Sequence, residues 1–188
     1  VALHYVFNTP TDKLVFDVSH QSYPHKVLTG RVSGFLGDME AMDAVSGYSS
    51  PTECPEYDNF EVGHTSTSVS LATGLQKARD IKGTKENIVV VIGDGSLSGG
   101  EAFEGLDEAS ELGTGIIIIV NDNEMSIAEN HGGIYKNLRA LRESKGTCEH
   151  NWFKAWGFGY KYLEEGNDVE KLIEVFRSVK DTDKPTIV

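Results

Sequence analysis

Residues 86–127 read ENIVVVIGDGSLSGGEAFEGLDEASELGTGIIIIVNDNEMSI, and their pattern sets the architecture of the whole chain. Residues 88–92 and 116–120 are uninterrupted runs of Ile and Val bounded by Gly or Asn, which is typical of parallel strands buried on both faces. Between these runs a helix is predicted over residues 98–112, and Gly113 is placed to end it. Apolar residues recur there at helical spacing, namely Ala102, Phe103, Leu106, Ala109 and Leu112. The stretch therefore predicts a β-α-β unit.

Polar residues follow both predicted strands at the point where each strand ends. A right-handed crossover brings the carboxyl ends of two parallel strands to one edge of the sheet, so we expect Asp94 and Asn123 to converge there. The carboxylate in the turn 93–96 and the oxygens of residues 121–123 suit Mg²⁺. Glycines let backbone N–H groups and a helix N-terminus approach a diphosphate. The pattern predicts a metal-diphosphate site.

The turn Gly93-Asp94-Gly95 nearly matches the G-x-G-x-x-G pattern of dinucleotide sites, and glycine-rich turns of this kind serve many nucleotides. The aspartate favours a metal, because a carboxylate that faces a bare pyrophosphate repels it. The formal net charge of −12 points the same way, since an acidic chain needs a cation to hold a diphosphate.

The rest of the sequence alternates predicted strands and helices without an internal repeat. Further strands are expected over residues 14–18 and 158–163 and from Pro185 onward, with a short helical turn over 27–30 and helices after residue 63, after Gly133, around Trp152 and after Asp168. This alternation is that of a doubly wound α/β domain with a mostly parallel sheet.

Two loops near the predicted edge carry further polar groups. His20 and His25 follow a predicted strand, and they are either part of a chemical cluster or incidental to a surface loop. Residues 63–68 open a helix and form either a second anion site or ordinary N-caps, with capping favoured for residues 65–68. Met125 either packs or offers its carbonyl as a ligand.

Residues 31–60 show only weak periodicity. A loop of this length is more often functional or mobile than a passive connector, and we expect it to be mobile without a ligand.

Composition argues against several classes of partner. The net charge of −12 disfavours nucleic acid and anionic membranes. No apolar run approaches the roughly 18 residues of a membrane span and no leader opens the chain, so a cytoplasmic protein is expected. Cys54 and Cys148 lack metal-ligand spacing and are expected to be free. Both ends fall inside predicted elements, which suggests a piece of a longer protein.

Three stretches resemble the 1-deoxy-D-xylulose 5-phosphate synthases, a transketolase-like family of thiamin diphosphate enzymes. They are residues 16–26 (FDVSHQSYPHK), 62–68 (VGHTSTS) and 121–130 (NDNEMSIAEN). A GDG turn followed across one β-α-β unit by an asparagine also resembles the metal-diphosphate motif of thiamin diphosphate enzymes. The resemblance implies that residues 1–188 are one diphosphate-binding domain, truncated at both ends, with pyrimidine-binding and C-terminal domains outside this sequence.

The resemblance also implies roles for individual residues. Asp94, Asn123 and the carbonyl of Met125 would bind Mg²⁺. His20 would face the reacting carbon of thiamin diphosphate and assist proton transfers, whereas His25 receives no sure role. The cofactor-binding set implied is His20, Gly63, His64, Thr65, Gly93, Gly95, Ser96 and Asn123.

The implied reaction condenses pyruvate with glyceraldehyde 3-phosphate, releases carbon dioxide and begins non-mevalonate isoprenoid synthesis, in an enzyme that is usually a homodimer. Two alternatives stay open, a transketolase-like transfer of a two-carbon ketol unit and a non-catalytic subunit that keeps the fold. The isolated piece is expected to bind the cofactor weakly and to be inactive.

The sequence departs from the family pattern at four places. Ser19 stands where glycine is expected before His-Gln, and Asn167 stands where histidine is expected. Residues 31–60 differ from the usual connection, and the segment after Asn130 is shortened. These differences bear on the acceptor substrate and on the activity.

Overall fold

A sheet of five parallel strands lies at the centre of the computed structural model, which describes residues 1–36, 45–126 and 128–188. The strands are β1 (Lys13–Phe16), β2 (Ile88–Gly93), β3 (Ile117–Asn121), β4 (Gly159–Tyr160) and β5 (Thr186–Ile187). Their order is β1-β2-β3-β5-β4, and each neighbouring pair is parallel. The predicted parallel α/β sheet is confirmed.

The described residues form eight α-helices and one short 3-10 helix, Ser33–Phe35. The α-helices are α1 (Ala2–Val6), α2 (Tyr23–Leu28), α3 (Ser68–Lys82), α4 (Asp94–Leu97), α5 (Gly100–Leu112), α6 (Gly133–Glu143), α7 (Trp152–Ala155) and α8 (Val169–Val179). The helical turn predicted over residues 27–30 is the end of the longer α2.

Three predicted boundaries differ from the structure. The strand predicted over residues 14–18 ends at Phe16, because Val18 and Ser19 turn into the left-handed region with φ of 56° and 72°. The helix predicted from residue 98 begins at Gly100, after an extended Gly99 that separates it from α4. The strand predicted over residues 158–163 is confined to Gly159–Tyr160.

Alternate residues of the central strands pack into two hydrophobic layers. Val90 and Ile118 lie in the layer beneath α3 and α5, which contribute Val69 and Leu106. The opposite layer contains Val89, Ile117 and Leu14 and is covered by α1 and α8 through Ala2, Val6, Phe176 and Val179. Helices therefore cover both faces of the sheet, as a doubly wound fold requires.

The register of the strands aligns their carboxyl ends. Phe16 pairs with Val91, and Gly93 pairs with Asn121, so Asp17, Asp94 and Asp122 each stand one residue beyond a paired position. These three acidic residues define the edge on which the candidate site is built.

Within the described residues, no helix combines the length and apolar character needed to span a membrane. Cys54 and Cys148 are both free, as predicted. Residues 37–44 and Ile127 lie outside the described residues, so the predicted mobility of the loop 31–60 stays a prediction.

Candidate functional site

Asp17 joins the end of β1 to the start of α3. Its buried carboxylate accepts hydrogen bonds from the backbone N–H groups of Ser66 (3.0 Å) and Ser68 (3.1 Å). Thr67 is the N-cap residue but makes no capping bond with its side chain. The favoured expectation of ordinary hydroxyl capping is therefore wrong, because the carboxylate of Asp17, directly after β1, accepts hydrogen bonds from these N–H groups instead. The same bonds leave these two amides unavailable to a second anion.

Ser66 connects the loop 63–68 to the GDGS turn. Its backbone is left-handed, with φ of 72°, and its hydroxyl donates to the carbonyl of Ser96 at 2.7 Å. A Cβ atom on Gly99 would lie 2.0 Å from the Ser66 hydroxyl oxygen, so the two segments approach at a distance that only glycine permits. Two of the loops predicted to bind the cofactor are thus in direct contact.

Gly63, His64 and Thr65 are exposed at the outer end of this loop. The His64 Nδ1–H donates to the carbonyl of Thr65 at 2.8 Å, and the ring of Tyr48 packs against Gly63. These predicted cofactor-binding residues therefore face solvent beside the GDGS turn.

Asp94 is buried at the carboxyl end of β2, with 2% of its surface exposed. Burial and the neighbouring Asp122 carboxylate raise the pKa of Asp94 to about 6. The side-chain amide of Asn130 donates to Asp94 Oδ2 at 2.7 Å. A bound cation would offset the cost of keeping the Asp94 carboxylate charged in this buried position beside a second carboxylate.

The loop after β3 lies over the turn 93–96. A Cβ atom on Gly95 would be 2.7 Å from the Cβ of Ser126, so this glycine also marks a close approach. Asn123 turns its Oδ1 toward the backbone N–H of Met125, at 3.1 Å, and both residues are exposed. No hydrogen bond among the described residues joins either of them to Asp94. The structure places their loop beside Asp94, and ligation by these two residues stays a prediction.

Across residues 1–36, 45–126 and 128–188, no three His, Cys, Asp or Glu side chains come together as a metal-binding group. The predicted ligand set does not require one, because it consists of one carboxylate, one amide oxygen and one backbone carbonyl.

His20 is exposed and follows the two left-handed residues Val18 and Ser19. Ser19 is fully buried, and its hydroxyl oxygen accepts the backbone N–H of Ser49 at 2.8 Å. A serine stands where the family pattern has glycine, yet its left-handed backbone is the conformation that glycine favours. Ser19 therefore adopts, just before His20, a backbone conformation that glycine takes easily.

His25 is buried and engaged within the fold. Its Nε2 pairs with Asp58 Oδ1 at 2.9 Å, and its Nδ1 pairs with His4 Nε2 at 2.8 Å. Asp58 also accepts hydrogen bonds from Arg31 and from the backbone of Ser50. His25 thus belongs to a buried network and not to the exposed turn of His20.

The sequence analysis did not predict three residues: Asp17 and Arg142, which bind segments of this edge, and Asp58, which pairs with His25. Asp17 offered a signal, because it directly follows a predicted strand as Asp94 does. Arg142 offered none, since a basic residue on an amphipathic helix usually faces solvent.

Comparison of the sequence with known proteins identifies the family of this chain. The family model described as 1-deoxy-D-xylulose-5-phosphate synthase matches residues 1–151. The chain belongs to the 1-deoxy-D-xylulose-5-phosphate synthase family. The synthase of Dictyoglomus thermophilum is 40% identical over 216 residues, covering 96% of this chain and 35% of that protein. The synthase of Listeria monocytogenes is 42% identical over 194 residues, covering 100% of this chain and 32% of that protein.

The chain therefore spans about a third of the length of the synthases it matches. The Dictyoglomus match runs over 216 residues against 188 in this chain, so that synthase has additional residues within the matched span. The Listeria match, over 194 residues, is nearer in length.

Solved structures share the fold of this synthase-family chain. A transketolase variant from Pichia stipitis superposes with a TM-score of 0.64 at 18% identity, covering 94% of this chain and 27% of that one. A putative thiamin diphosphate-dependent enzyme from Mycobacterium smegmatis gives 0.62 at 15% identity, covering 99% and 29%. Both support the predicted fold class.

Proposed function

We propose that this chain is the diphosphate- and metal-binding part of a thiamin diphosphate-dependent synthase that condenses pyruvate with glyceraldehyde 3-phosphate and releases carbon dioxide. The observation that carries the proposal is the buried Asp94 at the carboxyl end of β2, with Asp122 and Asn130 beside it. Membership of the synthase family supports it over most of the chain.

The residues present fit a magnesium ion. Asp94 supplies a buried carboxylate whose raised pKa reflects unfavourable negative charge. Asn123 and the carbonyl of Met125 add two neutral oxygens from the loop that packs on Gly95. Hard oxygen donors of this kind, completed by phosphate oxygens and water, are typical of Mg²⁺.

The residues also fit a diphosphate. Gly93 is the last residue of β2, and Gly95 and Ser96 lie in the short helix α4 that follows, so their backbone N–H groups are the donors proposed for a phosphate group. The exposed residues Gly63, His64 and Thr65 would extend this surface along the cofactor. The hydrogen bond from Ser66 to Ser96 joins this loop to the GDGS turn, so both would contact the same cofactor.

Thiamin diphosphate, when bound, supplies the electron sink for the decarboxylation of pyruvate. The protein then has to bind and orient the cofactor and the substrates and to transfer protons. His20 is the side chain proposed for proton transfer, because it is exposed on a turn that is held by the hydrogen bonds of Ser19 with Ser49 and of Asp17 with Ser66. A fixed turn limits the positions that the imidazole can take relative to the bound substrate.

Calorimetry with Mg²⁺ and thiamin diphosphate on the whole gene product tests the site. Replacement Asp94→Ala should weaken Mg²⁺-dependent binding by about 100-fold or more, since loss of a direct ligand costs at least as much as loss of its outer partners. Glu101→Ala, which removes a solvent-exposed carboxylate from the first turn of α5, is the control and should bind as the wild type does. Equal affinity in the Asp94→Ala variant would remove the metal assignment.

Product analysis separates this reaction from its alternatives. Carbon dioxide release from pyruvate in the presence of glyceraldehyde 3-phosphate is expected, whereas turnover of a ketose phosphate without carbon dioxide would indicate transketolase-like chemistry. Full activity of a His20→Ala variant would contradict the proposed role of His20. A homodimer in the cytoplasm is part of the proposal, and light scattering on the purified protein tests the dimer.

A further inference from the structure

The loop that carries the proposed metal ligands is bound from outside by Arg142 of α6. One guanidinium nitrogen of Arg142 bonds to Asp122 Oδ2, and the other bonds to Glu124 Oε1. The side chains of Arg142 and Asp122 are 24% and 14% exposed, so that half of the contact is largely withdrawn from solvent, whereas Glu124 is 61% exposed. Asp122 and Glu124 lie directly on either side of Asn123, and Arg142 therefore grips the loop at both neighbours of a proposed ligand.

Among its described residues, the loop is otherwise held by short local bonds and by one distant bond. Asp122 accepts the N–H of Glu124 at 3.2 Å, and Asn123 accepts that of Met125 at 3.1 Å. Glu124 has a left-handed backbone, with φ of 65°, which is unfavourable for a residue with a side chain. The distant bond joins Asn130 to Asp94 at the far end of the loop. Arg142 supplies the corresponding anchor at the near end.

We propose that Arg142 is a positioning residue for the metal site, which holds Asn123 and the Met125 carbonyl in place by binding Asp122 and Glu124 together. This inference rests on the proposed function, because it assumes that Mg²⁺ binds between Asp94 and this loop. A planar guanidinium suits the task, since it binds two carboxylates in a fixed geometry that a lysine cannot reproduce.

Positioning and simple electrostatics predict opposite effects when Arg142 loses its charge. Removal of a positive charge near two carboxylates makes the site more negative, and a purely electrostatic role would therefore strengthen Mg²⁺ binding. A positioning role predicts weaker binding, because the unrestrained loop must be ordered when the metal binds. The direction of the change distinguishes the two.

The experiment measures thiamin diphosphate binding by calorimetry over a series of Mg²⁺ concentrations, on the whole gene product. Arg142→Gln should raise the Mg²⁺ concentration for half-maximal binding by about 10-fold or more, the usual range for loss of a group that orients a metal ligand. Arg142→Lys, which keeps the charge but not the fork, should raise it by a smaller factor. At saturating Mg²⁺ both variants should recover most of the cofactor affinity.

Lys145→Gln is the matched control. It removes one positive charge close to Arg142 in sequence, from an exposed ion pair with Glu164 at 2.7 Å. It should leave the Mg²⁺ requirement unchanged, because an exposed pair contributes little and does not touch the metal loop. Thermal unfolding without metal, recorded for every variant, shows whether each one is folded.

Three results overturn the inference. An unchanged or lower Mg²⁺ requirement in Arg142→Gln shows that Arg142 does not position the loop. If Arg142→Gln does not fold, Arg142→Lys provides the test. A Mg²⁺ requirement equal to that of the wild type in Arg142→Lys refutes positioning by the planar guanidinium. A wild-type protein whose cofactor binding does not depend on Mg²⁺ refutes the proposed function itself, and it is distinguished from the other two because it needs no variant.

Discussion

Replacement of Gly99 by alanine should loosen the contact between the two proposed cofactor loops. The added Cβ would lie 2.0 Å from the Ser66 hydroxyl oxygen and 2.4 Å from its Cβ. Forcing a methyl group into packed surroundings costs about 1–3 kcal/mol. Loss of the hydrogen bond from Ser66 to Ser96 adds about 1 kcal/mol. The free energy of unfolding should therefore fall by about 2–4 kcal/mol.

For a chain of this size, such a loss lowers the midpoint of thermal unfolding by about 4–16 °C. Circular dichroism of the Gly99→Ala variant measures it directly. Gly100→Ala is the matched control, because Gly100 is the first residue of α5 and no atom lies within 4 Å of its added Cβ. That variant should be unchanged or slightly more stable, since alanine favours the helix.

A second variant tests whether Ser66 is the cause. Ser66→Gly removes both atoms that meet the new methyl group, and glycine accepts the left-handed backbone of this position, with φ of 72°. The double variant Ser66→Gly/Gly99→Ala should be about as stable as Ser66→Gly alone. The reasoning is refuted if Gly99→Ala unfolds at the temperature of Gly100→Ala, or if Ser66→Gly fails to restore it.

Three further predictions concern the segments beneath the site. Asp58→Asn should lower the free energy of unfolding by about 1.5–3 kcal/mol in urea, because the largely buried Arg31 guanidinium loses its charged partner at 2.5 Å and keeps only the more distant Glu53, at 3.6 Å. A loss below about 1 kcal/mol would contradict this. Ser19→Ala should be about 1 kcal/mol less stable than Ser19→Gly, since both lose the bond to Ser49 but only alanine keeps the left-handed strain; equal unfolding midpoints would count against it. Burial, and then the neighbouring His25, lower the pKa of His4 to about 4. The unfolded chain therefore binds more protons, and the free energy of unfolding should fall as the pH drops from about 6.5 to about 4. The His4→Gln variant should lose less stability over this pH range, and identical pH profiles of the two proteins would refute this role of His4.

Local sequence pattern was sufficient for the central elements of the fold. The Ile and Val runs of β2 and β3 are buried on both faces, and such runs identify themselves without knowledge of their neighbours. The prediction for the short outer strand β4 was too long, because two paired residues are too few to produce a periodic pattern in the sequence. The end of β1 was missed for a different reason, since Val18 adopts a left-handed backbone that a β-branched residue rarely takes.

The sequence alone also placed Asp94 at the carboxyl edge of the sheet, because strand direction and crossover handedness follow from the β-α-β unit. Which polar groups remain free at that edge was decided by the tertiary structure. Asp17 binds N–H groups 49 and 51 positions away, and His25 pairs with Asp58 33 positions away. Contacts over such separations depend on where loops meet once the helices have packed, and local periodicity does not encode that meeting.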